Sequence, residues 1–267
     1  MEKIIIYTCI TGGYDSLQQP DVVPEDFEFI CFVRKGTKVA ERLGVWKIEE
    51  IPFDWDDLQL LSRYPKLNPQ SALSDASQWS LWLDGNLGIT GSELYELCRD
   101  LVRRDVKYAG VKHPLSDCAY DECVRCLHDR RDTFGNLLRT VRFLRKMKLP
   151  RHAGLMENNV IFRKHNDPDV VEFDRWWWEC MVEHSHRDQL THTACLMDTP
   201  GLKTEYIFPE GVSARNYPGL RYTKHPKKEL SWLQRKLKYG PNRIECPLLK
   251  AYIELSDASS PCTGLHV

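Results

Sequence analysis

Trp79-Ser80-Leu81-Trp82-Leu83 is an apolar run that stops abruptly at Asp84-Gly85-Asn86, and this stretch narrows the choice of fold more than any other. An apolar run of strand length ending in a turn reads as a strand buried on both faces, which needs helices above and below the sheet. Open sheets of that kind bind ligands at the carboxyl edge of their strands. Here that edge receives the Asp84 carboxylate and, two residues later, the Asn86 amide oxygen. Oxygen ligands so spaced suit a hard divalent cation, Mn2+ or Mg2+, whose charge would offset a diphosphate. An ordinary Asp-Gly turn would carry the same residues.

The flanking sequence extends the pattern. Thr90-Gly91-Ser92-Glu93 has the form of a capping box, and Leu94, Leu97, Leu101 and Val102 follow at helical spacing. Val106 to Lys112 returns as a strand and stops at His113-Pro114. Strand, helix and strand with short connections predict a parallel βαβ unit, with Asp84 and His113 on one edge. Upstream, Lys3 to Ile10 reads as a first strand ending at Thr11-Gly12-Gly13-Tyr14-Asp15. Paired glycines let backbone N–H groups approach a nucleotide base or phosphate, although they also make a plain turn. Phe27–Val33 and Val45–Ile51 are two further strands, and Asp57 to Leu73 predicts a helix broken at Pro65. That helix carries Arg63 and Lys66, which either face a phosphate or are simply solvated.

Cys118 to Lys148 predicts one long helix, or two joined near Gly135, with an apolar stripe of Phe134, Leu137, Leu138, Val141 and Leu144. Cys123-Val-Arg-Cys126, with Cys118 and His128 nearby, resembles half of a zinc site, but a second CxxC pair at suitable spacing is missing. Met156 to Arg163 reads as a polar loop entering a strand, and Asp167-Pro168 opens a helix carrying Trp176, Trp177 and Trp178. Adjacent tryptophans cannot share one helical face, so two are expected in the core and one beside a sugar. His186-Arg187-Asp188-Gln189 places an acid and an amide at a helix start.

Charge character changes near residue 217. Arg221, Lys224, Lys227, Lys228, Arg235, Lys236 and Lys238 stand against one acid, Glu229, with Leu230, Trp232, Leu233 and Leu237 interleaved. This divides the chain into a main domain, 1–216, and a basic amphipathic extension, 217–267, suited to an anionic membrane surface or to covering the sheet. The formal charge of −1 gives no general case for nucleic acid. Ten cysteines scattered through predicted strands and helices fit reduced core thiols. No run of eighteen apolar residues occurs, and the N-terminal apolar run is too short for a signal peptide. The expected location is cytoplasmic, peripheral on the inner face of the membrane if the extension binds lipid.

Taken in order, Tyr7-Thr8-Cys9-Ile10-Thr11-Gly12-Gly13-Tyr14-Asp15, Ile30-Cys31-Phe32, Lys66, Trp82-Leu83-Asp84-Gly85-Asn86, His113-Pro114, Tyr120-x-Glu122, Gly154-Leu155-x-Glu157-Asn158 and Arg187-Asp188-Gln189 resemble a known family. It is the glycosyltransferase-like domain shared by bacterial polysaccharide proteins and plant rhamnogalacturonan galacturonosyltransferases. The resemblance implies a GT-A-like, Rossmann-like α/β fold: one domain with a mixed, mostly parallel sheet flanked by helices. It implies a metal-dependent transferase that moves a hexosyl or uronosyl group, with retention, from a UDP-sugar to a glycan or lipid-linked acceptor in surface polysaccharide synthesis. No organic cofactor is expected. Thr8, Gly12, Gly13, Tyr14 and Asp15 would line the nucleotide, while Lys66 and Arg63 would steady the diphosphate. Asp84, Asn86 and His225 would hold the metal, and His113, Asn158, Arg187 and Gln189 would border the donor. Asp188 and Glu157 would be catalytic. Asn86 stands where the family's DxD turn has a second Asp, and Val33-Arg34 lacks the acidic residue usual after that strand. Those departures keep open a second reading, a nucleotide-sugar or glycan-binding module without transfer.

Overall fold

A computed structural model of the chain describes residues 3–13, 15–73, 77–224 and 230–257. In order the elements are β1 (Ile4–Cys9), β2 (Phe27–Val33), β3 (Arg42–Leu43), β4 (Trp46–Glu50), α1 (Leu58–Leu67), α2 (Pro69–Ala72), β5 (Trp79–Leu83) and β6 (Leu87–Ile89). There follow α3 (Glu93–Arg103), β7 (Tyr108–Lys112), α4 (Ala119–His128), α5 (Phe134–Lys146), β8 (Met156–Lys164), α6 (Pro168–Glu183) and α7 (Gln189–Met197). The last described elements are β9 (Thr204–Tyr206), β10 (Leu220–Tyr222), α8 (Trp232–Tyr239) and α9 (Asn242–Asp257).

Eight strands form one sheet in the order β3-β4-β2-β1-β5-β8-β7-β9. The run β4, β2, β1, β5 is parallel, as their buried Ile, Phe, Trp and Leu residues lead one to expect. Period-two alternation divides the core. Ile5, Tyr7, Cys9 and Trp82 face the helices α1 and α4 to α7, while Ile4, Ile6, Leu81 and Leu83 face α3 and the segment leading to β10. This mixed, mostly parallel sheet between helices is the expected GT-A-like arrangement.

Four local expectations need correcting. The βαβ unit of β5, α3 and β7 does run in one direction, but β8 is inserted between its strands, antiparallel to both. Thr90 does not close a capping box. Its hydroxyl and N–H bond to Pro218 O and Gly219 O, so α3 begins at an N-cap, Ser92, that makes no side-chain capping bond. Pro65 lies within α1 rather than ending it. Near the helix end a proline forfeits a single backbone hydrogen bond, and its burial offsets part of that loss. The break in Cys118–Lys148 falls at residues 129–133, ahead of Gly135, where Asp132 accepts hydrogen bonds from Thr133 N and Asn136 Nδ2.

Beyond residue 216, β10 pairs antiparallel with β6, and Leu249 and Ile253 of α9 are buried in the main core beside α4 and α5. Among the described residues no helix is long and apolar enough to cross a membrane.

Candidate functional site

A cleft of about 710 Å³ opens where the β1, β5 and β7 strands end and where antiparallel β8 begins. Each wall has a local cause. Gly12 adopts φ of +63°, which turns the chain after β1 back toward α1. Asp57 caps α1 by accepting from Gln59 N and Leu60 N, and this fixes the turn that aims Arg63 and Lys66 inward. Antiparallel β8 contributes its start, Glu157-Asn158-Asn159, to the edge where its neighbours end. Its pairing with β7 is irregular between Gly110 and Lys112, so these residues leave that ladder, as bulged residues beside sites commonly do.

Lys66 is the centre. Only 1 % exposed, its ammonium lies 2.5 Å from Asp188 Oδ2 and 3.3 Å from Asp84 Oδ1. Arg63 Nε is 3.6 Å from the same Asp188 oxygen. Burial raises the Asp188 pKa, but Lys66, Arg63 and Arg187 overcome it and hold the carboxyl well below the usual range. Asp188 occupies the N-cap position of α7 yet makes no side-chain capping bond, because its carboxylate is engaged with Lys66. Trp177 Nε1 donates to the Asp188 carbonyl at 2.9 Å and secures the turn from behind. Asp84 Oδ1 also accepts from Trp82 Nε1 at 2.8 Å, so Oδ2 takes no part in either contact.

Glu157 lines the same cleft, and its Oε1 is 3.2 Å from Arg215 Nε. Burial raises its pKa, with Arg215 opposing. Asn158 is 3 % exposed, and among the described residues neither its amide oxygen nor its nitrogen has a hydrogen-bond partner; Glu157 Oε2 is likewise unpaired among them. Buried groups of this kind are costly, and a polar ligand would satisfy them. His113 is held down to about pKa 4 by burial and by Arg125, Arg215 and Arg131, so it is neutral near pH 7. Its Nδ1 accepts from Leu115 N and Ser116 N, at 3.3 and 3.0 Å. The proton therefore resides on Nε2, and the imidazole offers the cleft a donor.

Of the residues singled out in the sequence, Gly12, Asp15, Arg63, Lys66, Asp84, Asn86, His113, Glu157, Asn158, Arg187, Asp188 and Gln189 line this one cleft. Thr8 lies beneath it, 2 % exposed, and Gly13 stands in open turn space. Tyr14 and His225 fall outside the described residues. Among the lining residues that the sequence did not single out are Arg131, Arg215 and Tyr222. They reach the cleft from connections or from a short strand, where periodicity carries no signal. Trp82 was recoverable, since alternation puts residues 82 and 84 on one face.

The tryptophan expectation also changes. Among the described residues, none of Trp176, Trp177 and Trp178 lines the cleft. Trp177 is buried against Phe173, Trp178 packs on Phe53 and Tyr64, and Trp176 meets Phe143. Cys123 and Cys126 belong to the core, where burial raises both thiols. Away from the cleft lining, potential ligand atoms of Cys118, Asp121 and His152 gather within 4.8 Å of one another.

Among solved structures, the chain is similar to galactosyltransferase LgtC in complex with donor and acceptor sugar analogues, at 11 % identity and a TM-score of 0.41, over 76 % of this chain and 72 % of that one. It is also similar to apo mouse xyloside xylosyltransferase 1, at 10 % and 0.39, covering 75 % and 83 %. A third is apo GlyE of Streptococcus pneumoniae TIGR4, at 9 % and 0.38, covering 96 % and 64 %. No curated protein matches the sequence. Residues 1–205 match the family model of the TOD1/MUCI70, glycosyltransferase-like domain. The chain belongs to this TOD1/MUCI70 family of glycosyltransferase-like domains.

Proposed function

We propose that this protein is a metal-dependent glycosyltransferase that moves a sugar from a UDP-sugar to a glycan or lipid-linked acceptor in surface polysaccharide synthesis, with retention of configuration. The observation that carries the reading is the buried Lys66 ammonium, set between Asp84 and Asp188 in a cleft whose lining also holds the arginines 63, 131, 187 and 215. Cleaving the donor's C1–O bond leaves a diphosphate of growing negative charge. Lys66, Arg63 and the His113 N–H are preorganised to receive that charge, and Asn158 has free amide atoms for sugar hydroxyls. Asp188, kept ionised by its cations, and Glu157 are the carboxylates offered to an oxocarbenium-like centre. Measuring the anomeric configuration of the product tests retention.

The residues fit a hard cation. Asp84 and Asn86 are two oxygen donors on one turn, and sites for Mg2+ or Mn2+ that share a diphosphate need few protein ligands. When bound, the ion would neutralise diphosphate charge.

The direct test is a thermal-shift and transfer screen of nucleotide sugars with and without Mn2+, comparing wild type with Asp84→Asn. Asparagine keeps an acceptor for Trp82 and Lys66, which alanine would remove. The expected result is stabilisation by UDP-sugars, enhanced by Mn2+, and loss of transfer in the variant. Full transfer in folded Asp84→Asn would refute the metal-ligand role. Binding without transfer across the donor panel would support the binding-module reading, which the single carboxylate in the Asp84 turn favours.

A further inference from the structure

α8 is an amphipathic helix with none of its residues buried. Trp232, Leu233 and Leu237 are 74, 57 and 70 % exposed, and helical spacing sets them on one side. Large side chains do not usually stand in water together over a whole helix without a partner. α9 repeats the pattern on a firmer base. Cys246, Leu249 and Ile253 pack inward on α4 and α5, Asn242 donates to His128 O, and Glu245 pairs with Arg130. Ile244, Leu248 and Leu255, spaced by four and seven residues, form an outer stripe 55 to 75 % exposed.

The charge on this surface points to its occupant. α8 holds Arg235, Lys236 and Lys238 and no acid, within a chain of net charge −1. The Lys236 ammonium lies 5.2 Å from the centre of the Trp232 ring, so its stem follows the apolar face while its charge stays at the rim. A second copy seated with α8 against α8 would bring three cations against three, and like charges oppose such pairing. An anionic lipid surface instead satisfies both halves, taking the apolar side chains at the acyl boundary and the cations at the headgroups.

We propose that α8, with the outer stripe of α9, docks the protein on an anionic membrane surface. The surface is tied to the cleft through α9, since Arg130, which pairs with Glu245 of that helix, precedes the lining residue Arg131. Docking would thus present the cleft to a lipid-borne acceptor, a consequence that rests on the transferase reading. Vesicle binding itself does not depend on that reading.

The test is co-sedimentation of the full chain with phosphatidylcholine vesicles, with and without about one-third phosphatidylglycerol. Binding is expected on the anionic vesicles and is expected to weaken in about 0.5 M salt. The triple variant R235Q/K236Q/K238Q should lose affinity on the order of a hundredfold, and W232A/L233A/L237A should also release the protein. These side chains are exposed, so thermal melts of both variants should match wild type. Absence of vesicle binding, or undiminished binding by both folded variants, would overturn the proposal. A wild-type dimer that both variants dissolve, with no vesicle binding, would overturn it in favour of a second copy.

Discussion

Replacing Lys66 by methionine removes one buried charge while keeping an unbranched apolar stem, and the structure sets the size of the effect. At 2.5 Å and an effective dielectric of about 20, the Lys66–Asp188 attraction is worth roughly 7 kcal/mol before desolvation. Desolvating the two ions offsets much of this, so the measured loss is that of a buried pair broken on one side, about 3 to 5 kcal/mol. Arg63, 3.6 Å from Asp188, compensates partly and places the loss near the lower figure. For a chain of this size that corresponds to a melting point lower by roughly 10 °C. The sign with pH follows from Asp188. Its depressed pKa gives wild-type stability that is present above the unfolded carboxylate value and lost as pH falls through the folded one. Without Lys66 the buried carboxyl is pushed up instead, so the gap to wild type is widest near pH 7.5 and narrows toward pH 5. Urea denaturation at both pH values measures this, and Lys66→Met/Asp188→Asn should recover most of the loss. A Lys66→Met variant that melts within a degree of wild type, or a double variant with no recovery, would refute the argument.

Two further outcomes follow from the buried titratable groups. His192, bonded through Nε2 to Tyr108 OH at 2.8 Å, is lowered to about pKa 3 by burial and Arg163, so it is neutral when folded but protonates below about pH 6.5 when unfolded. The stability advantage of wild type over His192→Gln should therefore shrink by about 1.4 kcal/mol per pH unit as pH falls from 6.5 toward 4, measured by urea titration. Glu157 carries the opposite sign, since burial raises it and its ionised form is a cost above its pKa. Glu157→Gln should melt no lower than wild type at pH 7.5, because Arg215 is 56 % exposed and stays solvated, while transfer falls by about a hundredfold or more.

Much of the site could be read from residue order because strands announce their ends. Gly12, Asp84 and His113 each follow a run of β-suited residues, and a parallel sheet gathers such ends on one edge. Asp188 was visible as an acid at a helix start, but its use was not. Only the fold shows that the carboxylate leaves its capping position to meet Lys66, from a helix far back in the chain. Arg215 and Arg131 carry no periodic signal, and their place depends on how long connections return to the sheet. The antiparallel direction of β8 was equally hidden, because Met156–Lys164 contains an apolar run that would suit either direction.

That antiparallel insertion has a consequence for how the protein is made. β5 and β7 are joined only through β8, so a chain synthesised only to residue 155 would leave one edge of β5 and both edges of β7 unpaired, and nascent edges invite pairing between chains. The same strand carries Glu157 and Asn158 at one end and Arg163, bonded to the Lys66 carbonyl, at the other. Closing the sheet and assembling the cleft are thus one late event built from distant pairings, which favours slow folding. Fragments that stop short of β8 should aggregate rather than retain a partial cleft.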